Sequence, residues 1–163
     1  MSTKTAILTM TGGPMRFEAV TGSGHTLVMD NGEGDTGPRP SELVPAALAG
    51  CTAMDVISIL RKKRQEVTSY ELQASGEQAE SHPARFLSLQ VTHIVAGDDI
   101  DVEAVRRAIE LSATRYCTVG ATLATGDLTL AHSYIVRTRG EEITGEVVVL
   151  GPNQAFGAPA TAG

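Results

Sequence analysis

The sequence predicts an α+β protein in which antiparallel sheets wrap a buried central helix, and three observations predict it. The opening third alternates apolar and polar residues in short runs separated by glycine turns, the mark of half-buried strands. Residues 43–54 (LVPAALAGCTAM) then run for twelve positions without a formal charge. Alternation stops there, the length suits a helix, and an element apolar on nearly all faces must be surrounded by protein. Beyond it alternation returns over residues 67–76 and 85–95. The order is strands, buried helix, strands, helix, strand, which is an α+β layout rather than a relay of βαβ units.

Residues 6–10 read as a short apolar strand, Gly12-Gly13-Pro14 as turn chemistry and residues 15–20 as a second strand. Gly22-Ser23-Gly24 makes another turn before a third strand over residues 25–30. Residues 31–40 form a loop rich in Gly, Pro and acid. Proline is tolerated only in the first helical turn, so the central helix is expected to begin near Val44 or Pro45. It continues through Val56, Ile57, Ile59 and Leu60 and closes on Arg61-Lys62-Lys63-Arg64, where cations meet the negative end of the helix dipole. In the next strand pair Leu87, Leu89 and Val91 share one face. Asp98, Asp99 and Asp101 supply an acidic helix start, followed by Val102, Val105, Ala108, Ile109 and Ser112 near helical spacing. That helix is expected to end around Tyr116 and Cys117, with residues 118–126 as a helix stop and turn. Residues 128–138 and 143–150 read as strands. Residues 1–150 are expected to form a single domain and residues 151–163 a flexible tail. One domain of this size struggles to cover an all-round apolar helix, so an intimate homodimer is expected.

Composition narrows the function classes. The 163 residues are 42% hydrophobic and carry a formal net charge of −6. Nucleic-acid binding needs a cationic surface that displaces counterions, and a membrane-surface domain needs a basic face, so neither partner is expected. Residues 1–10 lack the apolar run of an export leader. No uninterrupted apolar stretch reaches the roughly 18 residues of a membrane helix. A cytoplasmic location is expected, and there a cysteine pair is more often free or catalytic than a structural disulfide.

The chain has two cysteines, Cys51 inside the apolar helix and Cys117, 66 positions later, at the end of the second helix. By position alone a small buried hydrophobe is the stronger reading of each. The four histidines (His25, His82, His93, His132) are scattered without metal-ligand spacing and read as satisfied or solvent-facing side chains. No Gly-x-Ser-x-Gly elbow supports a serine nucleophile.

The segments RPSELVPAALAGCTAMDVISILRKK and RYCTVGATL change the balance. The first resembles the central-helix cysteine motif of the OsmC/Ohr family, and the second resembles that family's second cysteine motif. The likeness extends from about the first strand to Val136, with a strand pair between the two cysteines. It implies an OsmC-like intertwined homodimer and thiol-dependent reduction of organic hydroperoxides, with an external dithiol as reductant and no metal or organic cofactor. Cys51 would be the attacking thiolate and Cys117 the resolving thiol. A free thiol titrates near about 8.5, and burial in an apolar helix raises that value, so a cation is required beside Cys51. Arg16 and Arg39 are the candidates, and the resemblance favours Arg16, because the family draws its arginine from the N-terminal hairpin region. The family also places a glutamate ten positions before the helix cysteine. That position here is Ser41, with Glu42 one residue later, turned by roughly 100° on a helix. Glu42 replaces the missing carboxylate only if the backbone ahead of Pro45 is irregular. The GPRPSEL form resembles a YhfA-like subgroup. The competing expectation is a non-catalytic small-molecule-binding or redox-switch protein on the same scaffold.

Overall fold

The computed structural model describes residues 1–124 and 126–151. The chain divides into two compact units, Met1–Val44 and Pro45–Gly163. The expected tail lies, from residue 152 onward, outside the described residues.

The first unit is a three-stranded antiparallel meander of β1 (Ala6–Met10), β2 (Phe17–Thr21) and β3 (Thr26–Met29). Its register sets Ile7 opposite Val20 and Phe17 opposite Met29. Gly12 takes φ +69°, the left-handed region where a side chain strains the backbone, which accounts for a glycine at that turn. β1 is exposed along its whole length, with Ile7 at 72% of its full accessibility. Asp30 organises the loop after β3. Its carboxylate accepts from the Thr36 hydroxyl at 2.6 Å and from the Asn31 N–H at 2.8 Å. The Thr36 bond, with a smaller contribution from the Arg16 charge, holds Asp30 below the usual carboxylate range.

A short 3₁₀ turn, Pro40–Glu42, leads into α1 (Leu43–Lys62). The helix therefore starts one or two residues earlier than proline tolerance alone suggested, with Pro45 still inside its first turn. By length and composition the stretch Pro40–Lys62 is apolar enough to cross a membrane. Leu48, Thr52, Val56 and Leu60, one i, i+4 stripe, are buried by the chain's own residues, while Met54 stands exposed.

The second unit lays α1 and α2 (Val102–Leu111) on a four-stranded sheet ordered β4 (Ser69–Gln78), β5 (Phe86–Ala96), β6 (Thr129–Thr138) and β7 (Glu141–Leu150). Val56 and Leu60 of α1, Val95 of β5, Val105 and Ile109 of α2, and Val136 of β6 form one core. The acidic helix start is borne out at one residue. Asp101 is the N-cap of α2, its carboxylate accepting the Glu103 N–H at 2.9 Å.

Two expectations need correction. The sheet is not wholly antiparallel, because β5 and β6 pair in parallel. Parallel neighbours require a long crossover, and the residues carrying α2 supply it. Residues 118–126 are not simply a stop and turn, because Thr118–Leu123 forms α3. Between α2 and α3 lies a five-residue π turn, Ser112–Tyr116, a wide coil frequently found at functional sites.

Candidate active site

The second unit brings Cys51 and Cys117 together. Both are free thiols, Cys51 half-buried and Cys117 buried. Their sulfurs and a carboxylate oxygen of Asp55 all lie within 4.8 Å of one another. Cys51 and Asp55 share a face because they are four residues apart on α1. Cys117 arrives from the opposite direction, at the junction of the π turn and α3, with φ −68° and ψ 101°. That extended residue caps α3, its sulfur accepting the Gly120 N–H at 3.1 Å.

The two thiols are not equivalent. Burial pushes the Cys117 thiol up to about 12, partly offset by the Gly120 N–H and reinforced by the side-chain hydrogen bond to Cys51 and the Asp55 charge. Cys117 therefore keeps its proton at neutral pH. The half-buried Cys51 sulfur is the one open to an incoming molecule.

Asp55 went unremarked among the candidate residues. Its only sequence signal is a lone acid one turn past the cysteine, in a helix whose other charges, Arg61 and Lys62, lie in its last turn. Its carboxylate accepts the Ser112 hydroxyl at 3.0 Å, a bond between positions 57 residues apart. The Asp55 charge, after burial, also raises the titration of Tyr70, which stays protonated. The Tyr70 hydroxyl lies 2.8 Å from His93 Nδ1, and His93 Nε2 lies 3.3 Å from His132 Nδ1. A donor order running from Tyr70 to His93 to His132 satisfies every member. Burial pushes His93 down to about 3 and His132 down to about 4, so both imidazoles are neutral. These two histidines are satisfied core residues, as expected, although nothing in their spacing announced that they meet.

The remaining candidates belong to the first unit, each held by local partners. Arg16 donates to Thr11 Oγ1 at 2.6 Å and to Thr36 Oγ1 at 3.1 Å. Arg39 pairs with Asp35 at 2.8 Å. Glu42 sits in the irregular turn that its expected role required, but its carboxylate accepts the Arg39 backbone N–H at 2.8 Å and acts as a local cap. The same unit carries an open apolar recess of ≈ 370 Å³ lined by Leu8, Met15, Phe17 and Met29, with Arg39 and Pro40 at its edge.

A helix-borne dithiol in an α+β scaffold with two sheets defines the class. The chain belongs to the OsmC-like protein family, which matches residues 32–132. It is 40% identical to protein YhfA of Escherichia coli (strain K12) over 122 residues, 75% of this chain and 90% of that one. A hypothetical protein from Aquifex aeolicus VF5 has a similar structure at a TM-score of 0.73 and 25% identity, covering 85% of this chain and 98% of that one. An organic hydroperoxide resistance protein from Elizabethkingia anophelis shares the fold at a TM-score of 0.56 and 15% identity, over 85% and 97% of the two chains. The membership read from the two cysteine motifs is thereby established.

Proposed function

We propose that this protein is a two-cysteine thiol peroxidase that reduces organic hydroperoxides, with Cys51 attacking and Cys117 resolving. The asymmetry of the pair carries the reading: two sulfurs within 4.8 Å, one half-buried, the other buried and protonated beside it. The Cys51 thiolate attacks the terminal peroxide oxygen. An S–O bond forms, the O–O bond breaks, and the alkoxide takes a proton to leave as an alcohol. Cys51 is now a sulfenic acid. The Cys117 sulfur then attacks it, giving up its proton as the S–S bond forms and hydroxide leaves as water. A group must carry that proton from a thiol this reluctant to release it, and Asp55 is the carboxylate at hand. An external dithiol exchanges with the disulfide and restores both thiols.

Arg16 is assigned here as the cation that favours the Cys51 thiolate. Within the first unit Arg39 is ion-paired with Asp35, whereas Arg16 hydrogen-bonds neutral threonine oxygens and meets the Asp30 charge without an ion pair between them. Arg16→Ala is then expected to move the pH profile of Cys51 alkylation upward, with Arg39→Ala leaving it nearly in place.

The assembly in this reading is a homodimer. β1 is exposed throughout, the apolar recess of the first unit is open, and the chain covers only one stripe of α1. Exposed apolar surface of this extent marks an interface, and a second copy has the matching faces. A reducing, cytoplasmic compartment suits the cycle, because both cysteines must return to thiols.

The test compares consumption of an alkyl hydroperoxide in the presence of a dithiol. Cys51→Ser is expected to be inert, and Cys117→Ser to accumulate a sulfenic acid that a dimedone-type probe labels. Equal, negligible rates in the parent and both variants would overturn the peroxidase reading in favour of binding on the same scaffold.

A further inference from the structure

The reduced dithiol has a third donor beside it, and the three are arranged as ligands. Among the described residues, Cys51, Asp55 and Cys117 are the one group of three His, Cys, Asp or Glu donors gathered so closely. Two of them are steered from outside. The Ser112 hydroxyl donates to one Asp55 oxygen at 3.0 Å, and the Gly120 N–H donates to Cys117 Sγ at 3.1 Å. Outer hydrogen bonds of this kind orient and tune metal ligands. The buried Cys117 closes the floor, and the half-buried Cys51 and Asp55 leave an approach.

We propose that the reduced Cys51–Cys117–Asp55 triad binds a thiophilic divalent cation of the zinc class, which competes with hydroperoxide for the site. The ion is an inhibitory ligand, not a cofactor of the reaction. Two thiolates and one carboxylate overbalance its charge by one and leave the fourth tetrahedral position to water. Sulfur donors select zinc or cadmium over magnesium or calcium, which prefer oxygen. Zinc–sulfur bonds of about 2.3 Å place tetrahedral ligand atoms about 3.7 Å apart, so a contraction of about 1 Å or less assembles the site. Binding replaces the Cys117 S–H bond with a metal–sulfur bond and releases that proton to solvent, the Cys51 thiolate binding without proton loss and neither sulfur changing oxidation state. Once the sulfurs join as a disulfide, two of the three donors are gone and the ion must leave. Metal occupancy therefore reports the redox state of the pair.

The experiment uses the full chain, reduced and metal-free under inert gas. Zinc is partitioned between protein and a chromophoric chelator, and cadmium is followed by its ultraviolet thiolate charge-transfer band. One ion per chain is expected, with one proton released and no uptake after oxidation to the disulfide. Cys51→Ser and Cys117→Ser should each abolish the cadmium band's full intensity and weaken zinc binding strongly. Asp55→Asn should weaken zinc on the order of tenfold or more, and Ser112→Ala, which keeps all three donors, by a smaller factor. Circular dichroism of each variant separates lost binding from lost folding. A reduced protein that takes no zinc from the chelator overturns the proposal, and so does an Asp55→Asn variant that binds as tightly as the parent. Peroxide turnover is measured separately on metal-free protein, so failure of the peroxidase reading and failure of the metal site give different results.

Discussion

The two units handle apolar residues in opposite ways. In the second, β5 buries Leu89, Val91 and Val95, the last in a core shared with α1 and α2. In the first, β1 carries Ile7, Leu8 and Met10 with no cover of its own. Both runs are short, apolar and strand-forming, so composition does not distinguish them. The difference is layering: the four-stranded sheet has helices on it, and the meander, taken by itself, is a single layer. A single-layered sheet with an apolar face needs a partner, whereas a helix-backed sheet carries its own core.

The sharpest way to break the contrast is to truncate each side. Leu60, fully buried in the second unit, should cost about 2–5 kcal/mol on Leu60→Ala, read as a lowered denaturant midpoint. An acid titration follows in size. The folded His93 and His132 titrate near about 3 and about 4, below an unfolded value near 6.5. Their contribution to stability is intact above about 6.5. It is lost as pH falls toward 4 and 3, because the unfolded chain then binds protons that the core refuses. The expected slope in that window is about 1.4 kcal/mol per pH unit for each histidine. Chemical denaturation across pH reads it, and the slope should shrink by about half when His132 is replaced by Asn.

On the exposed side, Ile7→Lys should change unfolding of the isolated chain by less than about 0.5 kcal/mol. In the proposed homodimer it should shift sedimentation toward the monomer. A dimer indifferent to it would mean that β1 is not the covered face. A small effect is also expected of Gly120→Ala. A methyl there would sit 3.3 Å from Cys117 Sγ, so the sulfur must give by a few tenths of an ångström. A cost of about 1 kcal/mol or less is expected, with slower disulfide formation after peroxide addition, followed by quenched thiol counts.

Local patterns carry only so far into such a molecule. The meander was legible because strand alternation and glycine turns repeat within a few residues. The Asp101 cap was legible for the same reason, since the cap and the N–H that it accepts are two residues apart. The irregular backbone that the expected role of Glu42 required is present as a 3₁₀ turn, yet its local bond to the Arg39 backbone was not visible in a spacing argument. α3 was missed because Thr, Val and two glycines around it read as turn chemistry, and its start depends on the Cys117 sulfur accepting the Gly120 N–H.

The amino-acid sequence by itself determined the order of elements, the apolar helix with its cysteine, and the second cysteine motif, because each is written in residues adjacent or one turn apart. Tertiary structure alone decided that β5 and β6 run parallel, that His93 reaches His132, and that Ser112 holds Asp55 beside two sulfurs. Those contacts join positions from 39 to 57 residues apart. No periodicity encodes them; they exist only once helix and sheet have packed and the buried polar groups have had to find one another.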